Sequence, residues 1–451
     1  MERKLYDLTV GQNVIAWSIG KIRNKEVMNI CVEFQFDSEM DKHLLMQAVN
    51  MAALRNPNNQ VRFTVKDKKV YQYFSEEAQE KIEYLEFENE DEYNKGIKKL
   101  CETPFPNNAI ETQLYRLVVF KKPNGKLAIL GVFAHLIYDT YSSVMMFKEI
   151  IDIYKALLKG NPLPPEAFSP MPAYEEEKKY FGSSRYQRDI KFYEEMYSTE
   201  PQYTCIAGKN AKTVKKNRKC GIVAALVNPS MSADSLVFPL DREFVNNINQ
   251  YSLDHKVTSQ NLYILALRTY LSVVCETDDV LFECAVNRRT TLNKRKAGGT
   301  FADSATLRTI FTNDISFNEA LNITNDTISE VYKHVNLGIQ TSSGILKAKY
   351  NTAPIEAYGG ALFTYQAPLK LDDEIEYTIR RVPNGREWTI LYISILPCNS
   401  SNDYVADYSW IKKAVSETNV RDFHEFMIKF IEEGIKDDSQ SLKDIIRKAG
   451  K

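Results

Sequence analysis

Phe133-Ala134-His135-Leu136-Ile137-Tyr138-Asp139-Thr140-Tyr141-Ser142 sets a histidine and an aspartate four residues apart, where one hydrophobic period gives way to another. Upstream, Lys126 to Ala134 is an apolar, strand-like run. Downstream, Val144, Phe147, Ile150, Ile151, Tyr154, Leu157 and Leu158 recur at helical spacing until Gly160 stops them. Ser142 is the expected N-cap of that helix. The chain has five histidines, and His43, His255, His334 and His424 sit in no comparable setting. An imidazole accepts a proton near neutral pH once something fixes its ring. A buried histidine bracing a strand–helix junction would leave the same trace in the sequence.

Outward from this stretch, Gln113 to Phe120 and Lys126 to Ala134 flank Pro123-Asn124-Gly125, a strong hairpin signal. Val27 to Phe36 reads as a strand, Met40 to Arg55 as an amphipathic helix, and Val61 to Val65 and Val70 to Phe74 as short strands. Pro162, Pro164, Pro165, Pro170 and Pro172 rule out regular structure between Gly160 and Pro172, which reads as a link between lobes. The expected units are therefore residues 1–172 and 173–451. Charged helices are expected from Tyr174 to Tyr197. Lys209 to Lys219 carries six basic residues and reads as an exposed loop rather than a docking patch. Ile375 to Arg381 and Glu387 to Ile395 flank a second Pro-Asn-Gly, Pro383-Asn384-Gly385. A second hairpin there would suggest duplication of one α/β unit, with the histidine segment kept in the first copy alone.

Composition narrows the classes of function. With 451 residues, 44% hydrophobic and 26% charged, the chain builds the cores of two ordinary lobes. A formal net charge of −1 argues against nucleic-acid binding. Seven scattered cysteines form no CxxC pair, so neither a metal site nor a disulfide framework is expected, and a reducing cytoplasm fits. The charged start Met1 to Asp7 lacks the apolar region of a signal peptide, and no apolar run is long enough to span a bilayer. A cytoplasmic monomer is expected, and the sequons at Asn322, Asn325 and Asn399 read as chance matches.

Several segments together carry a resemblance. Ala134-His135-x-x-x-Asp139-Thr140 is similar to the HHxxxDG signature of condensation domains of nonribosomal peptide synthetases and related chloramphenicol-acetyltransferase-like acyltransferases. The second histidine and the aspartate match; Ala134 and Thr140 replace the first histidine and the glycine. Leu8-Thr9 to Trp17 resembles the family's opening motif, and Leu54-Arg55-Asn56-Pro57 with Val61-Arg62-Phe63 resembles a degenerate second one. Phe282 to Arg289 is similar to the strand ending in the family's arginine. Gly298 to Arg308 looks like its GxFVNTxxxR segment, and Gly359 to Gln366 like its late F-x-Y-Q strand. The matches fall in family order along nearly the whole chain.

The resemblance implies an α/β fold of two chloramphenicol-acetyltransferase-like lobes forming a V around a central tunnel. It implies acyl transfer from a thioester to an amine or hydroxyl, with amide formation favoured because the motifs look closer to peptide-synthetase domains. His135 would take or hold the proton of the attacking group, and Asp139 would be structural, paired with Arg289 or, as runner-up, Arg288 from the other lobe. N–H groups near Thr140 would receive the developing oxyanion. Gln12, Trp17, Tyr138, Ser142, Tyr365 and Gln366 would line or brace the tunnel, with core packing an alternative for Trp17. No metal or resident cofactor is implied. The donor would be a phosphopantetheine thioester on a separate acyl or peptidyl carrier protein, or a coenzyme A thioester, since the chain reads as free-standing. Because two signature positions have changed, an inactive fold that recruits carrier proteins is the other reading.

Overall fold

Runs of apolar and β-branched residues broken by turn residues become strands wherever a partner covers one face. In the computed structural model, which describes residues 3–75, 82–209, 211, 230–351, 358–368 and 370–451, these are β1 (Asn29–Phe36), β2 (Val61–Lys66), β3 (Lys69–Phe74), β4 (Glu83–Glu86), β5 (Tyr115–Lys121), β6 (Leu127–Ala134), β7 (Ala233–Pro239), β8 (Asp279–Val286), β9 (Asp303–Ile310), β10 (Leu362–Tyr365), β11 (Tyr377–Arg381), β12 (Leu391–Pro397) and β13 (Tyr404–Ile411). Helices α1 (Val10–Lys21), α2 (Lys42–Arg55), α3 (Glu90–Glu102), α4 (Thr140–Lys159), α5 (Met171–Tyr180) and α6 (Ser184–Met196) precede β7. They are followed by α7 (Arg242–His255), α8 (Ser259–Cys275), α9 (Leu292–Lys296), α10 (Phe317–Lys333), α11 (Ile339–Tyr350), α12 (Glu417–Lys436) and α13 (Leu442–Lys448). Most of the basic loop expected at Lys209 to Lys219 lies outside the described residues.

Two sheets organise the molecule. A five-stranded sheet runs β11-β1-β6-β5-β4 and a six-stranded one β7-β13-β12-β10-β8-β9, with β2–β3 a separate ribbon. Phe34 of β1 stacks on Phe147 of α4 at 5.1 Å and on Tyr377 of β11 at 4.8 Å, closing the first core on one side. On the other side Glu33 is buried beneath Tyr93 of α3 and ion-pairs with Lys122 at 2.8 Å and Arg380 at 2.7 Å. Burial pushes the Glu33 carboxyl up, but Arg380 and Lys122 outweigh it and the net shift is downward.

The first Pro-Asn-Gly is a hairpin. Gly125 has φ +83°, Asn124 Oδ1 accepts the Lys126 N–H, and β5 and β6 pair antiparallel. The second repeats the local turn, with Gly385 at φ +72° and Asn384 Oδ1 accepting the Arg386 N–H. Its flanking strands nevertheless part: β11 joins β1 in the first sheet, whereas β12 pairs with β13 and β10 in the second. The segment is a crossover, not a hairpin, and the argument for duplication from paired hairpins is lost. The reason is that Phe34 and Phe36 of β1 offer β11 an apolar face and an open edge, which outweigh a local turn signal. The second sheet is built from residues 233–411, whereas the first takes one strand from across the expected division at residue 172.

Candidate functional site

Strand β6 ends at Ala134, and the chain makes one tight bend before α4 starts at Thr140. Three successive carbonyls of this bend are captured by side chains from elsewhere. Thr300 Oγ1 donates to the His135 carbonyl at 2.6 Å, Gln12 Nε2 to the Leu136 carbonyl at 3.1 Å, and Asn58 Nδ2 to the Ile137 carbonyl. The His135 N–H donates to the Met28 carbonyl at 2.9 Å. Tyr138 is buried against Phe133 and donates its hydroxyl to Asn59 at 2.7 Å. The bend is therefore fixed from α1, from the segment after α2, and from the segment before β9.

The N-cap of α4 is Asp139, not Ser142. Its carboxylate accepts the Ser142 N–H at 2.8 Å, so the helix begins three residues earlier than the serine suggested. Asp139 also accepts from Ser142 Oγ, from the Phe301 and Ala302 N–H groups at 3.1 Å, and from Arg289 Nη2 at 2.9 Å. Burial pushes the Asp139 carboxyl up, but Arg289 and the bonds from Ser142 and Phe301 outweigh it, and the net shift is downward. With its oxygens so occupied, Asp139 has no free lone pair for proton transfer. Arg289 is held in turn by the carbonyls of Lys294, Ala297 and Gly299, and lies over the rings of Tyr141 and Phe301. Gly299 is needed here because its φ is +105° and an added Cβ would meet the Tyr174 hydroxyl at 3.1 Å.

Arg288 does not reach Asp139. It adopts φ +49°, which turns its side chain to the carbonyls of Val335 and Asn336 and to Glu177 at 3.5 Å. Adjacent residues cannot both face one carboxylate when the backbone reverses between them, so the runner-up pairing is excluded.

His135 is half-buried, and its Nδ1 is buried without a hydrogen-bond partner among the described residues. Burial lowers its pKa below the ordinary 6.5, opposed in part by the backbone of His135, by the Asp139 charge and by the backbone of Tyr138. The imidazole is therefore neutral at pH 7, with a lone pair available. Thr140 is exposed at the first helical position, without the positive φ that would strain a β-branched residue. The N–H groups of Thr140 and Tyr141, at the start of the helix, have no intrahelical acceptor.

The other expected site residues divide. Gln12 spends its amide on Leu136, Gln72 and the Thr9 N–H, so it braces the bend. Ser142 is buried and bridges Asp139 to the Gly299 carbonyl. Trp17 is neither core nor buried lining, with 44% of its surface exposed on α1. Tyr365 lies near-parallel to Tyr263 of α8 and to Tyr404 of β13, with ring centroids 6.0 Å from each. Gln366 is half-buried beyond the end of β10, and its carbonyl accepts the Tyr404 hydroxyl. Asn58, Asn59 and Thr300 were missed by sequence reasoning. Asparagines after a helix read as ordinary turn formers, and only contact with the bend reveals their task. No group of three or more His, Cys, Asp or Glu among the described residues could hold a metal ion, and no described helix is long and apolar enough to cross a membrane.

Comparison with known proteins fits this geometry. A sequence model of the family described as "Condensation domain" matches residues 2–354. A plipastatin synthase chain of Bacillus subtilis (strain 168) is 21% identical over 328 residues, covering 70% of this chain and 12% of that relative, so the chain spans about an eighth of its length. Among solved structures, the first condensation domain of the calcium-dependent antibiotic synthetase, in complex with a substrate analogue, superposes with TM-score 0.82 at 15% identity over 98% of both chains. The condensation domain of the Monacolin K polyketide synthase gives TM-score 0.79 at 17% identity over 97% of this chain and 99% of that one. The starter condensation domain of rhizomide synthetase, a mutant in complex with C8-CoA, gives TM-score 0.79 at 14% identity over 97% and 96%. At such identities the likeness establishes the fold: two chloramphenicol-acetyltransferase-like lobes in a V.

Proposed function

Because the chain belongs to the condensation-domain family, we propose that it is an acyltransferase that moves an acyl or aminoacyl group from a thioester to an amine, forming an amide. The observation that carries this reading is a neutral, half-buried His135 on a bend whose carbonyls from His135 to Ile137, and whose following carboxylate, are fixed by other elements. The amine nitrogen attacks the thioester carbonyl carbon, and the carbon–sulfur bond breaks. His135 takes the proton the amine loses and returns it to the departing thiolate. The N–H groups of Thr140 and Tyr141 receive the carbonyl oxygen as it gains negative charge. Asp139 and Arg289 act through the bend, as positioning residues.

The donor is a carrier-bound phosphopantetheine thioester. Coenzyme A thioesters belong in the same panel, because the rhizomide starter domain was solved with C8-CoA. A hydroxyl acceptor would give an ester by the same steps. The protein is proposed to act as a cytoplasmic monomer.

His135→Ala tests the reading. Turnover of carrier-bound, coenzyme A and N-acetylcysteamine thioesters with a panel of amines and alcohols should fall about 10²–10⁴-fold, with circular dichroism unchanged. Unchanged turnover ends this mechanism. Absence of turnover by the wild type across the panel, with carrier protein still bound, supports the recruiting role instead, which the changes at Ala134 and Thr140 favour.

A further inference from the structure

The six-stranded sheet has two unlike faces. On one, Phe282, Cys284, Phe363 and Ile393 are buried, and Tyr408 meets Phe423 and His424 of α12. On the other, the register aligns Thr306, Glu283, Leu362, Tyr392 and Ser409 in one row. Alternation along the strands puts Ser304, Ala285, Thr364, Ser394 and Asp407 in the next row of that face. Most of these residues are polar. Leu362, Thr364 and Tyr392 are only half-buried although β10 and β12 are interior strands, so the face is open there, whereas at the start of β8 it is covered: Leu281 packs with Tyr193 and Tyr197, and the Tyr197 hydroxyl donates to Thr306.

Glu283 stands out on it. It is 7% exposed, and Ser304 Oγ donates to one of its oxygens; the other has no hydrogen bond among the described residues. Asp407 on the same face is neutralised by Arg381 at 2.7 Å. Among the described residues Glu283 has no such cation, and it lies near a second carboxylate, Asp303. Burial, with Asp303 adding to it, raises its carboxyl to about 7. A buried acid in this position is half-charged when alone and becomes fully charged beside a cation. The face is also joined to the histidine bend by a short segment of chain. Thr300, which holds the His135 carbonyl, and Ser304, which holds Glu283, are separated by at most about 14 Å of extended chain.

We propose that this face is a wall of the substrate crevice and that Glu283 selects a substrate carrying a second, basic nitrogen remote from the reacting centre. The missing countercharge is then supplied by the substrate. The distal nitrogen remains protonated while the reacting nitrogen, near His135, is neutral. This inference rests on the acyl-transfer reading for the identity of the crevice, but its test reads binding and not turnover.

The probes are the N-acetylcysteamine thioesters of lysine and norleucine, which differ in the side-chain ammonium, titrated calorimetrically into the full chain. The wild type is expected to bind the lysine thioester tighter by about tenfold or more, and Glu283→Gln, nearly isosteric, to abolish that preference. A second reading needs no variant. The wild-type preference should fall between pH 8 and pH 5.5 as Glu283 takes up a proton, whereas the lysine side chain stays charged throughout. The ratio of the two probes cancels His135. The titratable groups near Glu283 are Asp303 of β9, Cys284 of β8 and Tyr197 after α6, and burial raises the latter two groups further above this range. Equal affinities in the wild type, no binding of either probe, or a preference that survives in Glu283→Gln each overturns the proposal. Selective binding without turnover would leave it standing and count against the acyl-transfer reading alone.

Discussion

Asp139 and Glu177 are buried carboxylates whose arginine partners, Arg289 and Arg288, are neighbours in the chain. Asp139 is held by close, directional hydrogen bonds from Ser142, Arg289, Phe301 and Ala302. Glu177 is held mainly by charge. Arg288 stands 3.5 Å away and Lys294 3.2 Å away, and the Val10 N–H at 2.6 Å is its one short bond. Coulomb attraction tolerates such slack, whereas hydrogen bonds weaken steeply with distance and angle. The tight clamp sits under the histidine bend and the loose one ties α5 to α1 and α9. Geometric precision is concentrated under the histidine that the proposed transfer would use.

The largest break in this comparison comes from Asp139→Ala. It strands Arg289 in a buried site and should cost about 3–5 kcal/mol of stability, together with turnover, read by urea denaturation and by the acyl-transfer assay. Glu177→Gln keeps an acceptor for the Val10 N–H and leaves Arg288 its carbonyl partners. It should cost about 1–3 kcal/mol and leave turnover per folded molecule intact. Equal losses of turnover in the two variants would show that both clamps place the histidine.

Acid separates the clamps by a smaller amount. Both carboxyls have folded pKa values below their ordinary ones, 3.8 for Asp139 and 4.5 for Glu177, because arginine and hydrogen-bond contacts outweigh burial. Each group's stabilisation is therefore full above its ordinary value and lost as pH falls through its folded one. Urea midpoints measured from pH 6 to pH 2 should fall in the wild type. Glu177→Gln should flatten the decline from pH 4.5, and Asp139→Asn only below pH 3.8.

The smallest effect distinguishes the arginines by backbone. Arg288 has a left-handed φ of +49° and Arg289 has none. Arg288→Gly should be more stable than Arg288→Ala by about 1 kcal/mol, because glycine adopts that region freely. At position 289 the order should reverse, with alanine ahead by about 0.4–1 kcal/mol. Denaturation midpoints of the four variants decide it.

Much of this was legible beforehand because it is local. The strand ending at Ala134, the helix after Asp139 and the Pro123-Asn124-Gly125 hairpin each follow from residues adjacent in sequence, whereas the proline-rich stretch stops short of its expected end, because α5 begins at Met171 and takes Pro172 into its first turn, where a missing N–H costs nothing. His135 could be singled out because few residue types titrate near neutrality and only one histidine stood at such a junction. Glu283 left a trace as well, a lone charge within the apolar run Val280 to Val286, but its burial without a cation appears only once the rows of the sheet are assembled.

By itself the sequence determined the elements, the histidine segment and the family pattern, since periodicity, turn chemistry and motif order lie within short stretches of chain. Tertiary structure decided the rest. It sent β11 across to β1 although its turn matched a hairpin, gave the N-cap to Asp139, turned Arg288 away from Arg289's partner, and left Trp17 in solvent. These outcomes turn on partners more than a hundred residues away, or on which way a single backbone angle points. Local propensities differ by about a kilocalorie per mole. Burying an aromatic face or completing a carboxylate's hydrogen bonds is worth several times that, so the distant contacts prevail.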